Sequence, residues 1–217
     1  MSLVSRILNL FFPAKCTFCT CLLEQDKLWI CPECQRRLPW LEGAAAEKRI
    51  EFTSKCVSVL RYQNRVQESI LRYKFAAREC YCVTYGVLLS QAVCDHLKGQ
   101  YDLISWVPVS WQRKRKRGYD QSFLMAREMG KQLGQKPVKL LRKVKHTKAQ
   151  SSLHEAAARR ANAMGVYRAP WPERVQGKRI LLVDDVVTTG STISECARTL
   201  LMAGAEDVVC VTLARAG

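Results

Sequence analysis

Residues 179–193, RILLVDDVVTTGSTI, constrain the fold more than any other stretch of the chain. An unbroken apolar run, 180–183, reads as a strand buried on both faces of a parallel sheet. Asp184 and Asp185 follow where such a strand would end. Thr188, Thr189, Gly190, Ser191 and Thr192 then form a small polar loop, and an amphipathic helix follows over about 193–202. A strand that feeds a loop opening a helix makes an anion site, because backbone N–H groups, hydroxyls and the helix dipole all favour negative charge there. Gly190 is the residue that lets the backbone come close to a ligand. Two carboxylates can accept hydrogen bonds from a sugar diol. A ribose 5-phosphate unit satisfies both halves.

This stretch resembles the signature of type I phosphoribosyltransferases over 182–192. The resemblance implies 5-phosphoribosyl 1-pyrophosphate as ligand, with Asp184 and Asp185 as the catalytic pair that orients the ribose and 188–192 holding the 5-phosphate. Neither a GxxxxGK[ST] loop nor a GxGxxG fingerprint occurs in the chain, which argues against the two common nucleotide-binding alternatives.

With 217 residues, the chain has room for one ordinary domain and a small module. Its formal net charge of +16 favours polyanionic partners: nucleic acid, an anionic membrane surface or polyphosphates. The eleven cysteines are odd in number, and Cys56, Cys94 and Cys210 sit in apolar runs, so a disulfide framework is not expected. A reducing, cytoplasmic compartment follows. No apolar run reaches the length of a membrane span. Residues 1–12 lack a cleavage site and read as a short docking helix, with Leu3, Ile7, Leu10 and Phe11 on one face, rather than as a signal peptide.

Cys16 and Cys19, then Cys31 and Cys34, form two CxxC pairs separated by eleven residues. Four thiolates at this spacing predict a closed tetrahedral zinc site, structural rather than catalytic, with Cys21 as a surplus thiol. Residues 41–50 read as a polar linker. The expected division is therefore 1–48, a short helix and a four-cysteine zinc module, and 49–217, an α/β domain.

In that second part strands are expected over 52–62, 102–107, 138–144, 165–167 and 208–213. Helices are expected over 66–75, 81–97, 122–133 and 153–164. Alternation of this kind predicts a mostly parallel sheet with flanking helices. After the strand at 102–107 comes a run of five cations, 113–117, read as a basic loop at the carboxyl end of a parallel strand. Arg113, Arg115 and Arg117 could grip a pyrophosphate there, or the run could be a nucleic-acid patch. His146 lies in a further basic, hydroxyl-rich loop.

Nearly the whole chain is similar to the ComF family, phosphoribosyltransferase-like proteins associated with natural competence and the use of external DNA. The match includes LFFP at 10–13, the two CxxC pairs, and LRY at 60–62 through Lys74. It also includes RGYDQ at 117–121, Gln150, Arg160 and Asn162, and the VDDVVTTGST loop. Asp120 stands where the family commonly has Asn. The resemblance implies a type I phosphoribosyltransferase fold, zinc in the amino-terminal module, a cytosolic location and a phosphoribosyl ligand taken with Mg²⁺. Three functions remain open on sequence grounds: a phosphoribosyltransferase, a ligand-binding DNA-uptake factor without turnover, and a single-stranded-DNA-binding protein that works with competence proteins.

Overall fold

The computed structural model describes residues 14–23, 29–144 and 165–217. The expected amino-terminal helix, the LFFP lead, His146, Gln150, Arg160, Asn162 and the helix expected over 153–164 lie outside them.

Four parallel strands form the main sheet: β1 (Lys55–Arg61), β2 (Leu103–Trp106), β5 (Arg179–Val187) and β6 (Asp207–Arg215). Their order across the sheet is β1-β6-β5-β2. Buried on both faces, β5 and β6 carry the continuous apolar runs that a central parallel strand needs. Alternation sorts their side chains into two cores. Leu181, Val183, Val209 and Val211 pack on one face, while Ile180, Leu182, Val208 and Cys210 pack on the other.

On the first face lie α2 (Asn64–Phe75), α3 (Tyr81–His96) and α5 (Gln121–Gln132). The second is covered by α6 (Ser191–Met202) and a short antiparallel ribbon, β3 (Arg142–Lys143) with β4 (Tyr167–Arg168). Where a full strand was expected over 138–144, only β3 forms. Val138 donates one backbone hydrogen bond to Ile104 (2.8 Å), and Leu140 and Leu141 are buried without continuing the ladder.

Two further expectations need correction. First, residues 41–50 are not a loose linker. Leu41, Ala46 and Ile50 are buried, Leu41 bonds to Val59 across 2.9 Å, and Lys48 bonds to Cys56 across 2.8 Å. Apolar residues at these spacings dock the segment along β1. Second, the basic run is a helix, α4 (Trp111–Arg117), not a loop. Ser110 Oγ accepts from Arg113 N–H (3.3 Å), and Gly118 closes the helix at φ 86°. These are the ordinary start and stop residues of a helix.

The amino-terminal segment folds onto the first face through α1 (Pro32–Arg37) and the turn before it. Thr17 Oγ1 meets Thr84 Oγ1 at 2.8 Å, and Ser69 Oγ donates to Thr17 O at 2.6 Å. Phe18 is fully buried beside Tyr85. Among the described residues, no helix is long and apolar enough to cross a membrane.

Candidate functional site

The signature stretch was expected to leave its strand at Asp184. Instead β5 continues to Val187, paired with β6 through Val187↔Arg215. Both acids are therefore strand residues, and alternation directs them to opposite faces. Asp184 accepts from Ser122 Oγ (3.0 Å) and from the Asp185 N–H (2.9 Å). Its charge is felt by Lys143, Tyr167 and Cys196, on the α6 side. Asp185 is instead felt by Tyr62, Tyr73 and Tyr85, on the α2 side. It forms an ion pair with Lys74 Nζ at 2.8 Å. Burial, and then the charge of Asp185, raise the Asp184 carboxyl to about 7. The pair thus combines a carboxyl that holds its proton close to neutral pH with a paired carboxylate.

Beyond Val187 the chain turns through Thr188 and Thr189 into Gly190, which has φ 85° and begins α6. A left-handed backbone favours glycine here. So does space, because a Cβ on Gly190 would lie 3.2 Å from the Ile50 side chain. Lys48 Nζ holds the Thr188 carbonyl at 2.6 Å, and Thr189 Oγ1 meets Ser191 Oγ at 2.8 Å. Gly190 has no side chain to cap α6, and Thr189 Oγ1 accepts from the Ser191 N–H at 3.5 Å; the helix dipole favours an anion at this end. A cleft of about 360 Å³ lies beside the turn, bordered by Arg49, Ile50, Thr189, Gly190, Ser191 and Arg198. Neither acid lines it. Thr192 takes its place in the first turn of α6.

Helix geometry divides the three arginines assigned to pyrophosphate. Arg113 and Arg117 are one turn apart and half-buried. Arg117 donates to Gln121 Oε1 (2.8 Å), lies 5.0 Å over the Phe75 ring and senses Asp185. Burial, then the charge of Arg113, lower Lys143 to about 8, which sets Arg113 near β3, while it also lies within reach of the charge of Arg117. Arg115 faces out, 5.4 Å over the Trp111 ring, and Trp111 is 69% exposed. Asp120 caps α5, accepting from Phe123 N–H (3.2 Å) and Val109 N–H (3.4 Å). An acceptor is what that position needs, so a carboxylate serves there.

The cysteines converge. The sulfurs of Cys16, Cys19, Cys21 and Cys31 all lie within 4.8 Å of one another. Cys19 and Cys31 are 3.6 Å apart, close to the edge of about 3.8 Å in a tetrahedron with metal–sulfur bonds of ~2.3 Å. Burial pushes the Cys19 thiol up, but hydrogen bonds from the Cys21 backbone and from the Cys21, Cys16 and Cys31 thiols outweigh it, bringing it down to about 7. A thiol so disposed is ready to lose its proton to a metal. This four-cysteine cluster could hold a metal such as zinc. Cys21, read from sequence as surplus, belongs to it. Cys34, on α1, adjoins the same cluster: its thiol contacts those of Cys19, Cys31 and Cys16, its N–H lies on Cys31 Sγ (3.4 Å), and its sulfur is 3.8 Å from Arg65 Nη1.

Sequence reasoning therefore missed Cys21, Lys48 and Ser122 as site neighbours. Each reaches its partner through the fold, with no local motif to mark it.

Comparison with known proteins agrees with this architecture. The model of the phosphoribosyl transferase domain family matches residues 120–217. Competence protein F of Haemophilus influenzae is 29% identical over 231 residues, covering 95% of this chain and 99% of the relative. DNA utilization protein YhgH of Escherichia coli is 31% identical over 204 residues, covering 89% and 86%. Among solved structures, the glutamine phosphoribosylpyrophosphate amidotransferase of B. subtilis, complexed with ADP and GMP, is similar at 21% identity and a TM-score of 0.44. That match covers 65% of this chain and 30% of the amidotransferase. With the parallel sheet, the cysteine cluster and relatives matched over most of their length, the chain belongs to the ComF family, the competence protein F and DNA utilization proteins built on a type I phosphoribosyltransferase domain.

Proposed function

We propose that the chain binds 5-phosphoribosyl 1-pyrophosphate, as its magnesium complex, at the carboxyl edge of the sheet. The observation that carries this reading is the convergence on one edge of the hydroxyl-rich start of α6, the Asp184–Asp185 pair and the inward Arg117. In this reading 188–192 hold the 5-phosphate, Asp185 accepts from a ribose hydroxyl, and Arg113 and Arg117 face the diphosphate. Magnesium travels with the phosphates and keeps its waters, so a dedicated protein cage is not required.

If the ligand turns over, the bond between the anomeric carbon and the diphosphate oxygen breaks and an acceptor nitrogen replaces it. Charge grows on the departing diphosphate, and fixed cations around it lower the barrier most. A pyrophosphate-release assay across nitrogen acceptors separates transfer from binding alone. Saturable binding with no release for any acceptor leaves a ligand-sensing factor; no binding at all removes the reading. Zinc in the cysteine cluster is structural in this proposal, because four thiolates leave no open position. The names of the relatives suggest that the protein serves competence and DNA use; the cytoplasmic location in this proposal rests on cysteines that form no disulfide.

A second reading rests on a different observation. The outer face of α4 carries exposed cations and an exposed Trp111 beneath Arg115. An aromatic platform amid cations suits single-stranded DNA, whose bases stack while its phosphates pair.

A further inference from the structure

Lys74 lies outside the 182–192 signature, yet it holds one of that site's two acids. It stands in the last turn of α2, where the negative end of the helix dipole favours a cation. Its ammonium lies 2.8 Å from Asp185 Oδ1, and the two side chains are only 18% and 13% exposed. The next residue, Phe75, lies under the guanidinium of Arg117 at 5.0 Å. Arg117 and Lys74 therefore approach Asp185 from α4 and α2 respectively. Behind them Asp184 is buried and accepts from Ser122.

Lone pairs and protons show what this arrangement can do. An ammonium has three donors, and Lys74 uses one on Asp185 Oδ1. A carboxylate has two oxygens, so Asp185 Oδ2 can still accept from a sugar hydroxyl while Oδ1 keeps its lysine. Two cations around one paired carboxylate leave excess positive charge. A neutral diol does not need that charge, whereas a diphosphate does.

We infer that Lys74 is a ligand of the 1-diphosphate: it keeps its bond to Asp185 and donates a second N–H to a phosphate oxygen, so that the site recognises the diphosphorylated sugar over the monophosphate. The inference rests on the phosphoribosyl reading given above. A lysine that served only to dock α2 on β5 would treat the two sugars alike.

Calorimetric titration of 5-phosphoribosyl 1-pyrophosphate with Mg²⁺, and separately of ribose 5-phosphate, into wild type and Lys74→Met separates these outcomes. The expected result is at least a tenfold loss of affinity for the diphosphate in Lys74→Met, less than a twofold change for ribose 5-phosphate, and partial recovery in Lys74→Arg. Equal losses for both sugars, or no loss for either, overturn the role of Lys74 while leaving the site intact. Wild type that fails to bind the diphosphate overturns the site and this inference together. A readout on wild-type protein covers the case in which Lys74→Met does not fold. Acetylation of Lys74 by an amine-specific reagent, followed by mass spectrometry, should slow with the diphosphate and not with ribose 5-phosphate. Equal protection by both contradicts the proposal.

Discussion

Asp184 and Asp185 are neighbours in sequence but meet different environments. Asp184 faces a packed interior, where its ionised form loses hydration, and it also meets the negative charge of Asp185. An unfolded Asp titrates near ~3.9, whereas this carboxyl titrates at about 7. Between those values the native state holds a proton that the unfolded chain has released, so this group costs stability as pH rises across the window. Asp184→Asn keeps an acceptor for Ser122 and removes the titration. The variant should match wild type near pH 4 and melt higher by about 5 °C or more at pH 8, read by circular dichroism. Parallel melting profiles across that range would show that Asp184 is ionised at neutral pH. The sequence exposed both acids but not this difference. Strand alternation separates them, and β5 runs beyond them because its pairing with β6 persists to Val187.

Among the elements, α4 shows where reading by charge fails and where local chemistry would have succeeded. Five consecutive cations suggest a solvated loop, since like charges repel. The residues that decide the matter are at the ends: Ser110 as N-cap and Gly118 as the left-handed stop. Once helical, the run has two faces. Arg113 and Arg117 turn inward, while Trp111, Lys114 and Arg115 turn to solvent. The two proposed activities should then separate by face. Trp111→Ala with Arg115→Ala should weaken single-stranded-DNA binding about tenfold, in line with the loss of one stacked base and one phosphate contact. The same variant should leave phosphoribosyl-ligand affinity within about twofold, while Arg117→Ala should do the reverse. Fluorescence anisotropy over a salt series measures the first and calorimetry the second. Loss of both affinities in both variants would mean that α4 acts as one surface. Segment 41–50 offers the complementary lesson. Its small and polar residues hide three apolar contacts: Leu41 and Ala46 pack into one core, and Ile50 into the other beside Gly190.

Over the whole molecule, the cysteine segment and the α/β part share one core. Cys16, Phe18 and Cys34 belong to the same buried cluster as Tyr73, Tyr85 and Leu213. The CxxC spacing pointed to the cysteine cluster, but not to this continuity, which depends on Thr17 and Phe18 meeting α2 and α3. Metal removal should therefore destabilise the entire chain. A strong chelator is expected to lower one cooperative calorimetric transition, not to erase a small separate one, because binding energy at such sites is folding energy. Two independent transitions would show that the segment folds alone. The surplus of positive charge, +16, acts at this scale as well, drawing polyanions toward the edge where α4 and the start of α6 lie.

Titration calorimetry of 5-phosphoribosyl 1-pyrophosphate with Mg²⁺ probes that edge without reference to any acceptor. Wild-type protein should bind one equivalent saturably, and Asp184→Asn with Asp185→Asn, folded by circular dichroism, should bind at least about tenfold more weakly, the loss expected for one or two charge-assisted hydrogen bonds. Equal affinity in wild type and the double variant, or no heat from wild type, would contradict a phosphoribosyl site at the end of β5.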